Sequence, residues 1–144
     1  MMDKFFVLDP EVAGGLGPLT VMNRSAHPPV VSKVHCHFDG WLGDAIVESF
    51  PCILVTEYLS NQLSQEQFVG MKVAKVEVST SEQFTEACPG VELPRFVWLQ
   101  ATGVAGVDDF AVGPDFRLVV SEKALRVILA TGPRALDVEP FCSP

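Results

Sequence analysis

Residues 35–56, HCHFDGWLGDAIVESFPCILVT, form the stretch around which the rest of the sequence is organised. They continue an alternating run over residues 30–38, in which apolar and polar side chains exchange at every second position, the period of a β-strand. One face of this strand is expected to be apolar and to consist of Val34, Cys36 and Phe38. The opposite, wet face is expected to carry Lys33, His35 and His37.

The remainder of this stretch predicts a turn, a short helix and a second strand. Asp39 and Gly40 favour a turn. Residues 41–50 place apolar side chains at helical spacing, and Pro51 prevents a helix from continuing, so a short helix is expected here. Residues 52–55 are a short apolar run typical of a strand.

Three further helices are expected where a hydroxyl residue is followed by glutamate. Thr56 and Ser121 each follow an apolar run and precede a Glu, and Ser81 precedes Glu82. The side-chain oxygen of such a Ser or Thr caps a helix, and the Glu lies favourably in its positive first turn. These patterns predict helices over residues 57–64 and 122–130, and a short helix that ends at Ala87.

The other apolar runs predict strands over residues 4–9, 72–78, 95–102, 110–112 and 117–120. Apolar side chains on both sides of 95–102 indicate a strand covered on both faces, while 110–112 is expected at a sheet edge and 117–120 at a central position. The end of the sequence, 135–141, is expected to be extended. Residues 11–29 are rich in Gly and Pro and are expected to form a flexible surface loop.

Strands and short helices follow one another without a regular βαβ rhythm, which is typical of the α+β class. We expect residues 1–144 to form a single domain, with a mainly antiparallel or mixed sheet and several short helices. A chain of this length can bury about two-thirds of its unfolded surface.

The charge balance limits the classes of partner. Eighteen Asp and Glu against ten Lys and Arg give a net charge of −8, a field that repels phosphates and anionic lipids and attracts basic proteins. Nucleic acid and membrane partners are therefore not expected. No apolar run reaches the ~18 residues of a membrane helix, and the N-terminus lacks a signal-peptide pattern, so a cytoplasmic protein is expected. In such a protein the four scattered cysteines are expected to be free and largely buried.

The sharpest candidate for chemistry is the group His35, His37 and Asp39. On a strand the two imidazoles would share a face roughly 7 Å apart, and with one more ligand they could chelate a metal. No third ligand stands at a diagnostic spacing, so an exposed strand face that carries two histidines is the favoured interpretation. A small metal-binding protein or enzyme that uses these three residues is kept as an alternative.

Other catalytic patterns are missing from the sequence. It contains no serine-hydrolase elbow, phosphate-binding loop or dinucleotide fingerprint. A cysteine–histidine pair would require Cys52 or Cys88 to meet His27, and nothing in the sequence indicates that they do. We therefore assign no catalytic, cofactor-binding or metal residue, and expect a protein that is not an enzyme and needs no cofactor.

Carboxylates recur beside aromatic residues, which predicts a docking surface for a basic protein. The candidate partner-binding residues are Asp39, Trp41, Asp44, Asp108 and Asp109. Two alternatives stay open. Trp41 is an ordinary core residue in the first. In the second, Asp108 and Asp109 lie in a solvated turn, which is favoured over a calcium loop because the EF-hand spacing is missing.

The segments FDGWLGDAIVESFPCILVTEYL (38–59) and RLVVSEKAL (117–125) resemble the immunity protein 11 family of bacterial polymorphic-toxin systems. The opening strand at 5–8 and the segment 81–99 fit the same resemblance, which covers nearly the whole sequence. It implies a small cytoplasmic α+β protein, encoded beside a toxin, that neutralises this toxin by binding it. The leading hypothesis is therefore an immunity protein with a basic cognate toxin as partner. The second and third hypotheses are the metal protein or enzyme described above and an interaction domain whose partner is not a toxin.

Overall fold

The computed structural model describes residues 4–26 and 30–142, so His27 lies outside the described residues. The strands are β1 (Phe5–Asp9), β2 (Glu11–Val12), β3 (Gly14–Leu16), β4 (Val21–Asn23), β5 (Val30–Lys33), β6 (His35–Phe38), β7 (Ile46–Ser49), β8 (Cys52–Thr56), β9 (Met71–Ala74), β10 (Glu77–Thr80), β11 (Phe96–Ala101), β12 (Phe110–Val112), β13 (Leu118–Ser121) and β14 (Asp137–Pro140). The helices are α1 (Glu57–Ser64), α2 (Glu82–Ala87) and α3 (Glu122–Leu129). None of these helices, over the part of the chain that is described, is long and apolar enough to cross a bilayer.

The strands form four sheets of mixed character, which confirms the α+β class. A five-stranded sheet has the order β2-β7-β8-β11-β9, with β2 parallel to β7 and the other pairs antiparallel. A four-stranded antiparallel sheet has the order β12-β13-β1-β14, with β12 at an edge and β13 inside, as predicted. A three-stranded sheet β10-β6-β3 and the pair β4-β5 complete the fold.

The five-stranded sheet is the central layer, because it contributes side chains to two apolar cores. The first core joins it to the four-stranded sheet, α1 and α3. The second lies on its other face, against the three-stranded sheet and α2. On β11, Trp98 faces the second core and Leu99 the first, which confirms that both faces of this strand are covered.

The three predicted helix starts are confirmed. The hydroxyls of Thr56, Ser81 and Ser121 accept hydrogen bonds from backbone amides three residues ahead, at 3.2, 3.1 and 3.2 Å. A glutamate follows each cap in the first turn. These starts are set locally, so the sequence pattern alone identifies them.

The helix predicted over residues 41–50 is wrong: residues 39–45 are a loop and the rest is β7 with the turn that follows it. Gly43 has φ of +104°, which lies outside the helical region. Ile46 and Val47 are consecutive and both fully buried, one in each core. A strand buried on both faces has no polar alternation, so its apolar run resembled helical spacing.

The loop predicted over residues 11–29 is also wrong in part, since it contains β2, β3 and β4. The glycines allow close packing here. A Cβ on Gly14 would lie 1.9 Å from the carbonyl oxygen of His37, and one on Gly17 would lie 2.3 Å from the ring of His35. Part of the Gly-rich segment is therefore the strand β3, which is paired with β6 in the same sheet, and its glycines allow a close approach to β6.

Two predicted strands are each divided. Residues 30–38 form β5 and β6, which belong to different sheets, and residues 72–78 likewise contribute to β9 and β10. The predicted apolar face of Val34, Cys36 and Phe38 is confirmed, with each side chain at most 1% exposed. The wet opposite face is wrong for His35, which is buried beneath Gly17.

Candidate functional site

An open cleft of about 560 Å³ lies where β1, β2, β14 and the 39–45 loop meet. Its lining combines four carboxylates with apolar side chains and one indole. The lining residues are Asp9, Pro10, Glu11, Val12, Gly40, Trp41, Leu42, Glu48, Ala135 and Asp137. An acidic cleft with an aromatic wall has the composition expected of a site for a cationic group.

Glu11 is the most buried acid of the cleft, with 6% of its surface exposed. It lies on the edge strand β2, opposite Val47 of β7. Its Oε2 accepts a hydrogen bond from the amide of Leu42 at 2.7 Å, while its buried Oε1 has no hydrogen-bond partner among the described residues. Burial has the largest effect and raises the pKa of the Glu11 carboxyl; the charge of Asp44 also raises it, while backbone hydrogen bonds from Leu42 and Asp44 oppose the shift.

The other acids of the cleft differ in their pairing. Asp9 accepts from Nη1 of Arg117 at 3.0 Å, and this arginine also pairs with Asp115 and Glu139. Glu48 forms no ion pair in the described ranges, and its pKa is raised by burial and by the nearby charge of Asp9. The field of this cleft is therefore only partly neutralised by the protein itself.

Trp41 forms an aromatic wall of the cleft and is also tied to the core. Its Nε1 donates to the carbonyl oxygen of Asp44 at 2.9 Å, and its ring packs edge-on against Phe96 with centroids 6.0 Å apart. The side chain is half-buried. Trp41 was interpreted from the sequence either as a core residue or as a partner-binding residue. In the structure, one part of the indole packs against the core and another part lines the cleft.

Asp44 does not occupy the solvated helix face that the sequence predicted. It is 2% exposed, and its two carboxylate oxygens accept from the amides of Arg134 and Ala135 at 2.7 and 2.8 Å. The prediction failed because its helix is absent and because the contact spans 90 residues of sequence. Asp39 is half-buried and is not one of the lining residues.

Asp108 and Asp109 lie far along the chain from the cleft and hold local structure. Oδ2 of Asp108 accepts from the amide of Val104 at 2.7 Å. Asp109 accepts from the amide of Val69 at 2.9 Å and from the hydroxyl of Ser121 at 2.7 Å. Residues 105–109 form a turn and bend, as predicted, and both aspartates are half-buried; their carboxylates also hold the fold together, a role that the sequence did not predict.

The histidine pair is organised around Ser79, which the sequence analysis did not single out. The Ser79 hydroxyl lies 2.7 Å from Nε2 of His35 and 2.7 Å from Nδ1 of His37. Nδ1 of His35 accepts from the amide of Leu19, so its Nε2 carries the proton and donates to Ser79. The hydroxyl is then free to donate to His37. Among residues 4–26 and 30–142, no three His, Cys, Asp or Glu side chains converge on a common metal position.

The four cysteines are free, as predicted, but the prediction that they are largely buried is wrong for Cys88, which is half-buried, and for Cys142, which is exposed. Cys36 and Cys52 are buried, and burial raises the pKa of Cys52 to about 12, with a further contribution from Cys36. A thiol in such surroundings is a poor nucleophile because it stays protonated at neutral pH.

The sequence analysis missed Glu11, Glu48 and Asp137. Glu11 lay in a segment interpreted as loop, and Glu48 on a helix that does not exist. They line one cleft because β2 pairs with β7 and β14 pairs with β1, contacts between distant parts of the sequence. No local pattern carries that information. No protein-family model and no curated protein matches this sequence.

Proposed function

We propose that this protein is an immunity protein, which neutralises a cognate bacterial toxin in the cytoplasm by binding it stoichiometrically rather than by catalysis. The observation that carries the proposal is the acidic cleft beside Trp41. The resemblance of residues 38–59 and 117–125 to the immunity protein 11 family supports the same function.

The charge of the chain favours a basic toxin. A net charge of −8 together with an open acidic cleft accelerates the encounter with a cationic protein. Protection of a cell requires a Kd of about 1 nM or tighter, which corresponds to roughly −12 kcal/mol. Interfaces of this strength typically bury about 1,600 Å² and contain an aromatic residue among their anchors, a role that suits Trp41.

Co-expression with the product of the gene immediately upstream tests this proposal. The wild-type protein is expected to rescue growth, and the double variant Glu48→Gln, Asp137→Asn is expected to protect less well. The matched control is Glu77→Gln, Glu92→Gln, which removes the same charge at two exposed positions outside the cleft. Growth arrest that persists with the wild-type protein, when both proteins are expressed, would contradict the proposal and favour a partner that is not this toxin.

A further inference from the structure

A second pocket, of about 240 Å³, lies where β7, β8 and β11 of the five-stranded sheet face β12 and β13 of the four-stranded sheet. Most of its lining is apolar. The lining residues are Glu48, Pro51, Ile53, Trp98, Leu99, Gln100, Ala101, Thr102, Val112, Phe116 and Leu118. Over the described part of the chain, no Lys, Arg or His side chain lines it. Glu48 is the one residue that it shares with the cleft beside Trp41, so the two are separate cavities.

Glu48 is the titratable side chain of this pocket. It is half-buried and makes no hydrogen bond or ion pair with the described residues. Burial, and then the charge of Asp9, raise the pKa of its carboxyl. Both of its oxygens remain accessible, in contrast to Oε1 of Glu11. The carboxylate is therefore partly desolvated and unpaired but open to a ligand, and a cation that binds it would offset the cost of its burial.

Phe116 provides an observation that is independent of charge. It lines the pocket and has φ of +66°, a left-handed conformation that bulky residues rarely adopt. Its amide donates to the carbonyl oxygen of Gly113 at 2.9 Å, which fixes this conformation in a tight turn. Backbone strain of this kind is concentrated at ligand-binding sites, because the surrounding structure has to maintain it.

We propose that this pocket binds a small primary amine, whose apolar body lies between the two sheets and whose ammonium group pairs with Glu48. The inference goes beyond the proposed function and does not depend on a toxin. It assigns to the protein a small-molecule site that is separate from the surface proposed for docking.

The size of the pocket limits the ligand. A volume of 240 Å³ is about eight times the ~30 Å³ that one water molecule occupies in the liquid, so a molecule of roughly eight to ten non-hydrogen atoms fits. A lysine side chain of a partner protein would fill only about half of this space. The volume therefore favours a free amine with a ring or a branched body.

The lining selects the two ends of the ligand. The apolar walls favour a body that gains from removal from water. A carboxylate ligand would be repelled by Glu48 and by the nearby charge of Asp9, whereas an ammonium group is attracted by both. A neutral alcohol of the same shape would gain from burial of its body alone.

A titration of the intact protein with phenethylamine tests the inference, with the methyl resonances of Val112 and Leu118 in a ¹H–¹³C spectrum as the signal. Saturable shifts are expected with a Kd of about 1 mM, which is typical of a ligand of this size. 2-Phenylethanol has the same shape without the charge and is expected to bind about tenfold more weakly, because the charge-assisted bond is lost. Phenylacetate is expected to give no saturable shift.

Three variants locate the ligand. Glu48→Gln keeps the size of the side chain and is expected to weaken phenethylamine binding about tenfold while leaving 2-phenylethanol unchanged. Glu77→Gln, exposed and outside the pocket, is expected to bind like the wild type. Val112→Phe narrows the pocket from the edge strand, where Val112 is 47% exposed, and is expected to weaken both ligands. Thermal denaturation checks the fold of each variant.

Several outcomes would overturn the inference. Absence of a saturable shift would remove the site. Equal binding of the amine and the alcohol, or an unchanged amine affinity in Glu48→Gln, would remove the ion pair. Unchanged binding in Val112→Phe would place the ligand elsewhere, and equally tight binding of acetyl-Gly-Lys-Gly-amide would replace the free amine by a lysine of a partner protein. None of these results changes the rescue of growth, so a failure here leaves the immunity function standing, and a failed rescue leaves the amine site standing.

Discussion

The cleft beside Trp41 and the turn before Phe110 are both acidic segments next to an aromatic residue, yet their carboxylates have different roles. In the turn, Asp108 and Asp109 accept hydrogen bonds from Val104, Val69 and Ser121. In the cleft, Glu48 and Asp137 make no such bonds within the described residues, whereas the buried carboxylate of Glu11 is bonded to the backbone of the 39–45 loop. The comparison shows that acidic composition alone does not indicate a docking surface. We expect the carboxylates that the fold leaves unused to contribute to the proposed one.

Asp44 extends this comparison, because its carbonyl holds the lining residue Trp41 while its own carboxylate is used to stabilise the fold. Asp44→Ala is expected to lower the free energy of unfolding by about 3 kcal/mol, since two amides lose a charged acceptor in a buried position. Urea denaturation measures the loss. Asp39→Ala is the control, because Asp39 makes no side-chain hydrogen bond in the described ranges, and its effect is expected to stay within about 0.5 kcal/mol. Equal effects of the two variants would contradict the distinction between carboxylates that accept hydrogen bonds within the fold and carboxylates that do not.

A substitution at Ser121 tests whether the carboxylate of Asp109 in the turn stabilises the fold. Its hydroxyl accepts from the Ala124 amide as the cap of α3 and donates to Asp109. Ser121→Ala is expected to lower stability by about 2 kcal/mol, more than a helix cap alone, because both bonds are lost. Ser121→Thr keeps the hydroxyl and is expected to recover most of the loss in the same denaturation experiment. A loss in Ser121→Ala that Thr does not recover would show that packing, rather than these bonds, matters here.

Four segments show how much of the fold the sequence predicts. The starts of α1, α2 and α3 were predicted because caps act over three residues. The 41–50 segment was mispredicted because a strand buried on both faces lacks alternation, and the sequence does not show that two layers cover β7.

The site was less predictable than the fold. Trp41 was predicted to be a partner-binding residue from a local pattern, an aromatic side chain beside acids, and it lines the cleft. Glu11 was not, because its position depends on the pairing of β2 with β7, 36 residues later. Its unsatisfied oxygen is a property of three-dimensional packing, and a residue type gives no indication of it.

The raised pKa of Glu11 predicts that the stability of the fold depends on pH. Burial, and then the charge of Asp44, raise the pKa of Glu11 above its ordinary value of 4.5, so the folded state binds its proton more tightly than the unfolded chain does. Stability from this group is therefore complete below pH ~4.5 and is lost as the pH rises through the folded pKa.

Glu11→Gln removes this loss. The variant is expected to gain stability relative to wild type between pH 4 and pH 7, by about 1.4 kcal/mol for each unit of pKa shift. Denaturation curves at both pH values measure the difference, with Glu77→Gln as the correction for one lost charge. A difference that is constant across this range would show that Glu11 does not titrate in it.

The most direct test of the cleft is the rate at which the protein associates with the purified product of the gene immediately upstream, the proposed toxin, measured at low and at physiological salt. Glu48→Gln with Asp137→Asn is expected to slow association by about tenfold at low salt and less at physiological salt, because ions screen the field. Stability is not expected to fall, since neither side chain makes a bond in the described fold and the burial that raises the pKa of Glu48 makes its charge unfavourable for folding at neutral pH. Glu77→Gln with Glu92→Gln, which has the same net charge, is expected to associate at nearly the wild-type rate. Equal slowing in both double variants would contradict a role for the cleft and attribute recognition to net charge alone.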